Sequence, residues 1–164
     1  MFNRNTHESF FQFLAIFILL IIIDQSTKVY IAKIMMKNNF ENIKLFSFLN
    51  ITFVRNTGIS FGLFSDGGLI GRYFFTSFSM IVGSLLFIMS IFNKEKLVQV
   101  SLIFISSGAI GNAVDRIYFG GVIDFIDFFI YNFHWPAFNF ADIFITVGVF
   151  LLLIESFFKK GRNG

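Results

Sequence analysis

The chain has 164 residues, of which 55% are hydrophobic and only 14% charged, and it carries a net charge of +3. A soluble domain averages roughly 25% charged residues, so lipid must be part of this protein's solvent. The thirteen Lys and Arg are scattered and give no nucleic-acid-binding face, while the absence of Cys and the presence of only His7 and His134 exclude thiol catalysis, disulfides and Cys- or His-rich metal centres.

The first apolar stretch is Phe10–Ile23, and it continues through Val29-Tyr30-Ile31-Ala32 if Asp24 and Lys28 sit near a membrane face. No small-x-small cleavage site follows it, so it is expected to stay as an anchor. Asp24 and Lys28 are four residues apart with the acid first, the favoured order for a pair on one helix face. That spacing fits a salt bridge closing the span as well as a functional pair.

Between residues 42 and 56, Leu49, Ile51 and Phe53 alternate with Asn50 and Thr52, the period of a strand. A small sheet on the membrane surface is expected here. Asn56-Thr57-Gly58 and Ser65-Asp66-Gly67-Gly68 read as turns. Gly58-Ile-Ser60-Phe-Gly62 matches the pattern of a nucleophile elbow, but only His134 follows it as a base and no acid stands in a convincing place before that histidine.

Tyr73–Phe92 is long enough to cross a hydrocarbon core of ~30 Å at ~1.5 Å per residue. Leu97–Val114 forms a third span, ending in Gly108-Ala-Ile-Gly111-Asn112-Ala-Val-Asp115-Arg116. Its small residues permit close helix packing. Asp115 and Arg116 fit a self-neutralising pair, and Asn112 and Arg116 equally fit groups that hold a peptide backbone. Gly120-Gly121 then breaks the chain just ahead of Asp124, and Asp127 lies three residues on, close to Asp124 if the segment is helical. The fourth span is Ile143–Phe158, or starts at Phe138, which places Asp142 in its first turns as a candidate helix cap.

Four spans put the N-terminus, the Asn93–Lys96 turn and the C-terminus on one side. The overall Lys and Arg count is balanced between the two sides, but the density of charge at Lys94, Lys96, Lys159, Lys160 and Arg162 favours that side as cytoplasmic. Asn56, Asp66 and His134 then face outward.

Ionisable groups in a membrane setting are expensive and by default are functional candidates. Two carboxylates that approach one another do not both ionise easily, so one keeps a proton while the other remains a base. Asp124 and Asp142 would then be equipped for water-driven peptide hydrolysis at a membrane surface. Ion or proton sites of a small transporter, or acids that only hold the bundle together, are the rival readings.

Asp24-Gln-Ser-Thr-Lys28, Arg55-Asn56-Thr-Gly58, Gly111-Asn112-Ala-Val-Asp115-Arg116, Val122-Ile-Asp124-Phe125 and Phe138-Asn139-Phe-Ala-Asp142 together resemble the bacterial signal peptidase II family, in the family's order and over nearly the whole chain. The resemblance implies an α-helical integral membrane protein with four transmembrane helices and a small extracytoplasmic β-sheet region, forming one domain over 1–164. It implies an aspartic endopeptidase of the inner membrane that cuts prolipoproteins before a diacylglyceryl-modified cysteine, with both termini cytoplasmic, no cofactor or metal, membrane lipid as surroundings and a monomeric state. The dyad it carries over is Asp124 and Asp142. Asn56, Asn112, Arg116 and Asn139 match substrate-binding positions, and Asp24, Lys28 and Asp115 match supporting ones. Asp127 is not carried over.

Overall fold

The structure, a computed structural model, describes residues 4–58 and 68–162. Ser60 and Gly62 of the elbow pattern and the turn around Asp66 lie outside these residues. Four helices dominate: α1 (Arg4–Lys37), α2 (Gly68–Phe92), α3 (Lys96–Phe119) and α4 (Phe140–Arg162). All four are long and apolar enough to cross a membrane. Each runs beyond the apolar stretch that announced it, because polar end residues keep their backbone bonds inside the helix. The first span is one continuous helix through Asp24 and Lys28. The fourth begins at Phe140 rather than Phe138.

Helix α3 is the centre of the bundle. Half of its most apolar window is buried, against 11% for α1, 11% for α2 and 17% for α4. The outer helices instead expose Ile18, Leu19, Ile22, Phe74, Phe78, Ile81, Leu85, Phe150 and Leu153 as an apolar belt, the surface expected of a lipid-facing bundle. Small residues on α3 let its neighbours approach closely. Gly108 lies against the Ala141 carbonyl oxygen of α4, and a Cβ at Gly148 would stand 2.6 Å from the Ser101 carbonyl oxygen of α3. Ser106 Oγ donates to Gly83 O of α2 at 2.7 Å. Leu20, Ile103 and Phe144 form a buried cluster joining α1, α3 and α4, with Phe104 and Phe144 edge to face at 5.9 Å.

The expected sheet is present and larger than the alternation between 42 and 56 indicated. Strands β1 (Ile43–Phe46), β2 (Leu49–Asn56), β3 (Val122–Ile130) and β4 (Phe133–His134) form an antiparallel sheet in chain order. Gly120 caps α3 in the left-handed conformation at φ 75°, so the chain leaves the helix and Val-Ile-Asp-Phe-Ile-Asp-Phe-Phe-Ile enters as a strand. This corrects the helical-turn pairing of Asp124 with Asp127. Residues three apart on a strand point to opposite faces, and the two acids have different partners. The β2–β3 register sets Asn56 opposite Val122, Val54 opposite Asp124 and Asn50 opposite Asp127, with a bulge between Ile51 and Val54.

Candidate active site

Asp124 enters the site from β3 and Asp142 from the first turn of α4. Asn139 ends the extended segment before α4 and takes the N-cap position. Its Oδ1 accepts from the Asp142 amide at 3.0 Å, while Asp142 Oδ2 accepts from the Asn139 amide at 3.1 Å. This is a reciprocal capping box with an Asp as its third residue. The cap is therefore Asn139 and not Asp142, which completes the box from the third helical position. The remaining Asp142 oxygen, Oδ1, accepts from Asn112 Nδ2 at 2.9 Å.

Asn139 also reaches the other acid. Its Nδ2 donates to Asp124 Oδ1 at 2.6 Å, and Asn56 Nδ2 donates to Asp124 Oδ2 at 3.1 Å. Asn56 closes β2, and its own Oδ1 accepts from the Gly58 amide at 3.1 Å, holding the turn that the sequence indicated. Asp124 is 3% exposed. Burial, and then the neighbouring charge of Asp142, push its carboxyl from the ordinary 3.8 up to about 7.

Both acids line one cavity of roughly 590 Å³, together with Asn56, Asn112, Arg116, Val122, Thr146 and the segment from Trp135 to Phe138. Arg116 does not pair with Asp115, as a self-neutralising motif would. Successive helical residues point about 100° apart, and Arg116 turns to the cavity. Its guanidinium donates to Gly58 O at 3.2 Å and Asn112 O at 3.3 Å, and stands 5.9 Å from the Phe75 ring centre. Its Nε is buried with no hydrogen-bond partner among the described residues.

Behind the cavity lies a buried charge cluster. Lys28 Nζ is 2.8 Å from Asp24 Oδ2, 2.9 Å from Asp115 Oδ2 and 3.0 Å from Asn112 Oδ1. Its three protons thus have three acceptors. Asp24 Oδ1 accepts from the Ala141 amide at 2.9 Å, and Asp115 Oδ2 from the Ile123 amide at 3.1 Å. The intrahelical Asp24–Lys28 pair exists, then, but as part of a network that ties α1 to α3, β3 and the start of α4. Lys28 reaches Asp142 through Asn112.

Asn56, Asn112, Arg116, Asp124 and Asp142 line the cavity, Asn139 is buried between the two acids, and Asp24, Lys28 and Asp115 form the cluster behind. Gln25 was missed. Its Nε2 lies 2.9 Å from Asp115 Oδ1, 3.0 Å from Asp24 Oδ2 and 3.1 Å from Gly111 O. Its place one residue after Asp24, in the motif itself, was the available signal. Trp135, Pro136 and Ala137 were also not singled out as wall residues; their position depends on strand pairing that no local pattern reveals.

The family described as signal peptidase (SPase) II matches residues 16–158. A lipoprotein signal peptidase of Pelagibacter ubique is 39% identical over 163 residues, covering 98% of this chain and 97% of the relative. One from Acinetobacter baumannii strain SDF is 40% identical over 171 residues, covering 98% and 96%. A bacterial membrane enzyme solved by the in meso method at 2.3 Å superposes with a TM-score of 0.78 at 30% identity, covering 93% of this chain and 92% of that one. A second, at 1.9 Å, gives 0.72 at 34% identity over 88% and 91%.

Proposed function

Because the chain belongs to the signal peptidase II family, and is thus a multi-pass bacterial membrane peptidase, we propose that it removes signal peptides from prolipoproteins by cutting before a diacylglyceryl-modified cysteine, with Asp124, Asp142 and water as the chemistry. The observation that carries this reading is the sharing of one asparagine by the two acids: Asn139 bonds Asp124 through its side chain and Asp142 through its backbone, in one cavity.

In this mechanism Asp124, raised to about 7 by burial and the charge of Asp142, supplies the protonated acid, a form well populated near neutral pH. Asp142 is the base, placed at the amide end of α4, where negative charge is favoured. Asp142 takes a proton from water as the water oxygen bonds to the scissile carbonyl carbon, and Asp124 donates its proton to the carbonyl oxygen. On collapse the C–N bond breaks, Asp142 passes its proton to the leaving amine, and the re-forming carbonyl returns a proton to Asp124. Arg116 offers its Nε–H, unpartnered among the described residues, to a substrate carbonyl. Asn56, Asn112 and Asn139 hold the acids, Asn56 and Asn112 from the cavity lining where the extended substrate would lie, while Asp24, Lys28 and Asp115 keep Asn112 and the start of α4 in register.

The proposed arrangement has both termini and the Asn93–Lys96 turn in the cytoplasm and the sheet and cavity toward the outer face, where a lipidated precursor presents its cysteine. The protein acts as a monomer and as one domain. The test is to mix purified protein in micelles with a lipidated precursor and with its unlipidated form. Release of signal peptide from the first alone is expected, and cleavage of neither, or of both alike, overturns the reading.

A further inference from the structure

A second buried carboxylate on β3 is not used by the dyad. Asp127 is 5% exposed and lies directly opposite Asn50 of β2, whose Nδ2 donates to its Oδ2 at 3.0 Å. On its other side stands β4. His134 Nδ1 is 2.8 Å from Asp127 Oδ1 and 2.9 Å from Oδ2. A carboxylate only accepts, so Nδ1 carries the proton. The imidazole also stacks on Phe129, with ring centres 5.2 Å apart and planes 18° apart, which fixes its orientation. Asn50 and His134 thus tie β2 and β4 to β3 through one carboxylate.

The segment just after β4 gives this fastening its use. The Trp135 amide donates to Phe128 O at 2.7 Å, and Phe138 exchanges backbone bonds with Ile126 at 3.1 Å and 2.9 Å. Between these anchors the chain from Trp135 to Ala137 runs along the cavity and forms its wall. Strand β4 has only two residues, and a two-residue strand is weak without side-chain support. The Asp127–His134 contact supplies that support immediately before the wall.

We propose that Asp127 and His134 are positioning residues, which hold the wall of Trp135 to Phe138 in place and so set the affinity for substrate without touching the reacting atoms. The proposal rests on the peptidase reading for its kinetic test but has an independent readout. Trp135 is the sole tryptophan of the chain, so its fluorescence reports the wall directly.

The experiment uses the full chain in micelles. His134→Ala and Asp127→Ala should each raise KM for the lipidated precursor about tenfold, the weight of one hydrogen bond to a charged group, with kcat within about twofold. Trp135 should become more accessible to acrylamide. His134→Asn, whose Nδ2 occupies the place of Nδ1, should restore both values, whereas His134→Gln, whose amide lies one bond further out, should not. That Asn/Gln pair carries the test should an Ala variant fail to fold. Unchanged KM and quenching in the Ala variants, a lowered Tm with KM unmoved, a fall in kcat alone, or equal behaviour of His134→Asn and His134→Gln would each overturn the proposal. Failure of the wild type to cut the precursor would instead overturn the peptidase reading, while the quenching comparison would still decide whether the contact holds the wall.

Discussion

Asn139 and Asp142 exchange hydrogen bonds in both directions, side chain to amide at 3.0 Å and amide to side chain at 3.1 Å. The start of α4 and the placement of Asp142 are therefore one structural event. A residue proposed for chemistry also terminates the helix that carries it, and its partner asparagine extends to Asp124.

That double duty can be separated. Ser at position 139 still caps the helix but has no amide to donate to Asp124. Asn139→Ser keeps the cap and should cost less Tm than Asn139→Ala, while both lower kcat/KM about three- to tenfold, the weight of one hydrogen bond to a protonated acid. Equal losses of Tm in the two variants would argue against this separation.

Asp124→Asn and Asp142→Asn should each abolish cleavage of a lipidated precursor while leaving the protein folded. The double variant should be about as inactive as either single one, because the two carboxylates act as a unit. Residual turnover in a folded single variant near the wild-type rate contradicts the dyad.

The raised carboxyl of Asp124 has a pH signature. Its folded value is about 7 against an ordinary 3.8, so between these limits the folded protein keeps a proton that the unfolded chain has released. Stability conferred by this group is then complete at low pH and declines as pH rises toward about 7. Asp124→Asn should raise Tm at pH ~8 and make no difference near pH ~4. Wild-type kcat/KM should fall above about 7, where Asp124 loses the proton proposed for the carbonyl oxygen. Thermal melts and rate profiles across that range check both.

Lys28→Met should destabilise the protein by about 3–5 kcal/mol, since it leaves two buried carboxylates without their cation. Pairing it with Asp115→Asn should recover part of the loss, because one of the orphaned charges is then removed. Denaturation of the single and double variants in micelles measures the recovery.

Orientation can be read by labelling. With no natural Cys, Tyr131→Cys in the β3–β4 turn and Lys94→Cys between α2 and α3 sit on a silent background. Tyr131 is 93% exposed. An impermeant thiol reagent applied to intact cells, or to spheroplasts where an outer membrane intervenes, should modify position 131 and spare position 94. The opposite pattern would turn the cavity toward the cytoplasm and sink the proposed arrangement.

The helices were legible because lipid demands a run of apolar residues long enough to satisfy every backbone group internally. Their ends were less so: Asp24 and Lys28 looked like a boundary, yet they sit inside α1 because Asp115 and Asn112 complete their bonding from α3. Strand β2 showed its alternation. Strand β3 hid its own, since Val122 to Phe125 are all buried and a fully buried strand loses the polar half of its pattern. The dyad candidates were visible as acids beside apolar runs. What brings them together, the pairing of Asn56 with Val122 across strands far apart in sequence and the reach of Asn139 to both acids, is tertiary and leaves no local trace.

The seam between α3 and α4 has no slack, with Gly108 set against the Ala141 carbonyl and Gly148 against the Ser101 carbonyl. A compound lodged on Asp124 and Asp142 could not be evaded by sliding or tilting these helices, since any side chain larger than hydrogen at either glycine meets rigid backbone. A bulkier residue could instead crowd such a compound from positions in the cavity lining, such as Ala137, Ile145 and Val147. The same crowding would meet the natural substrate, so resistance and fitness are drawn from one small set of positions.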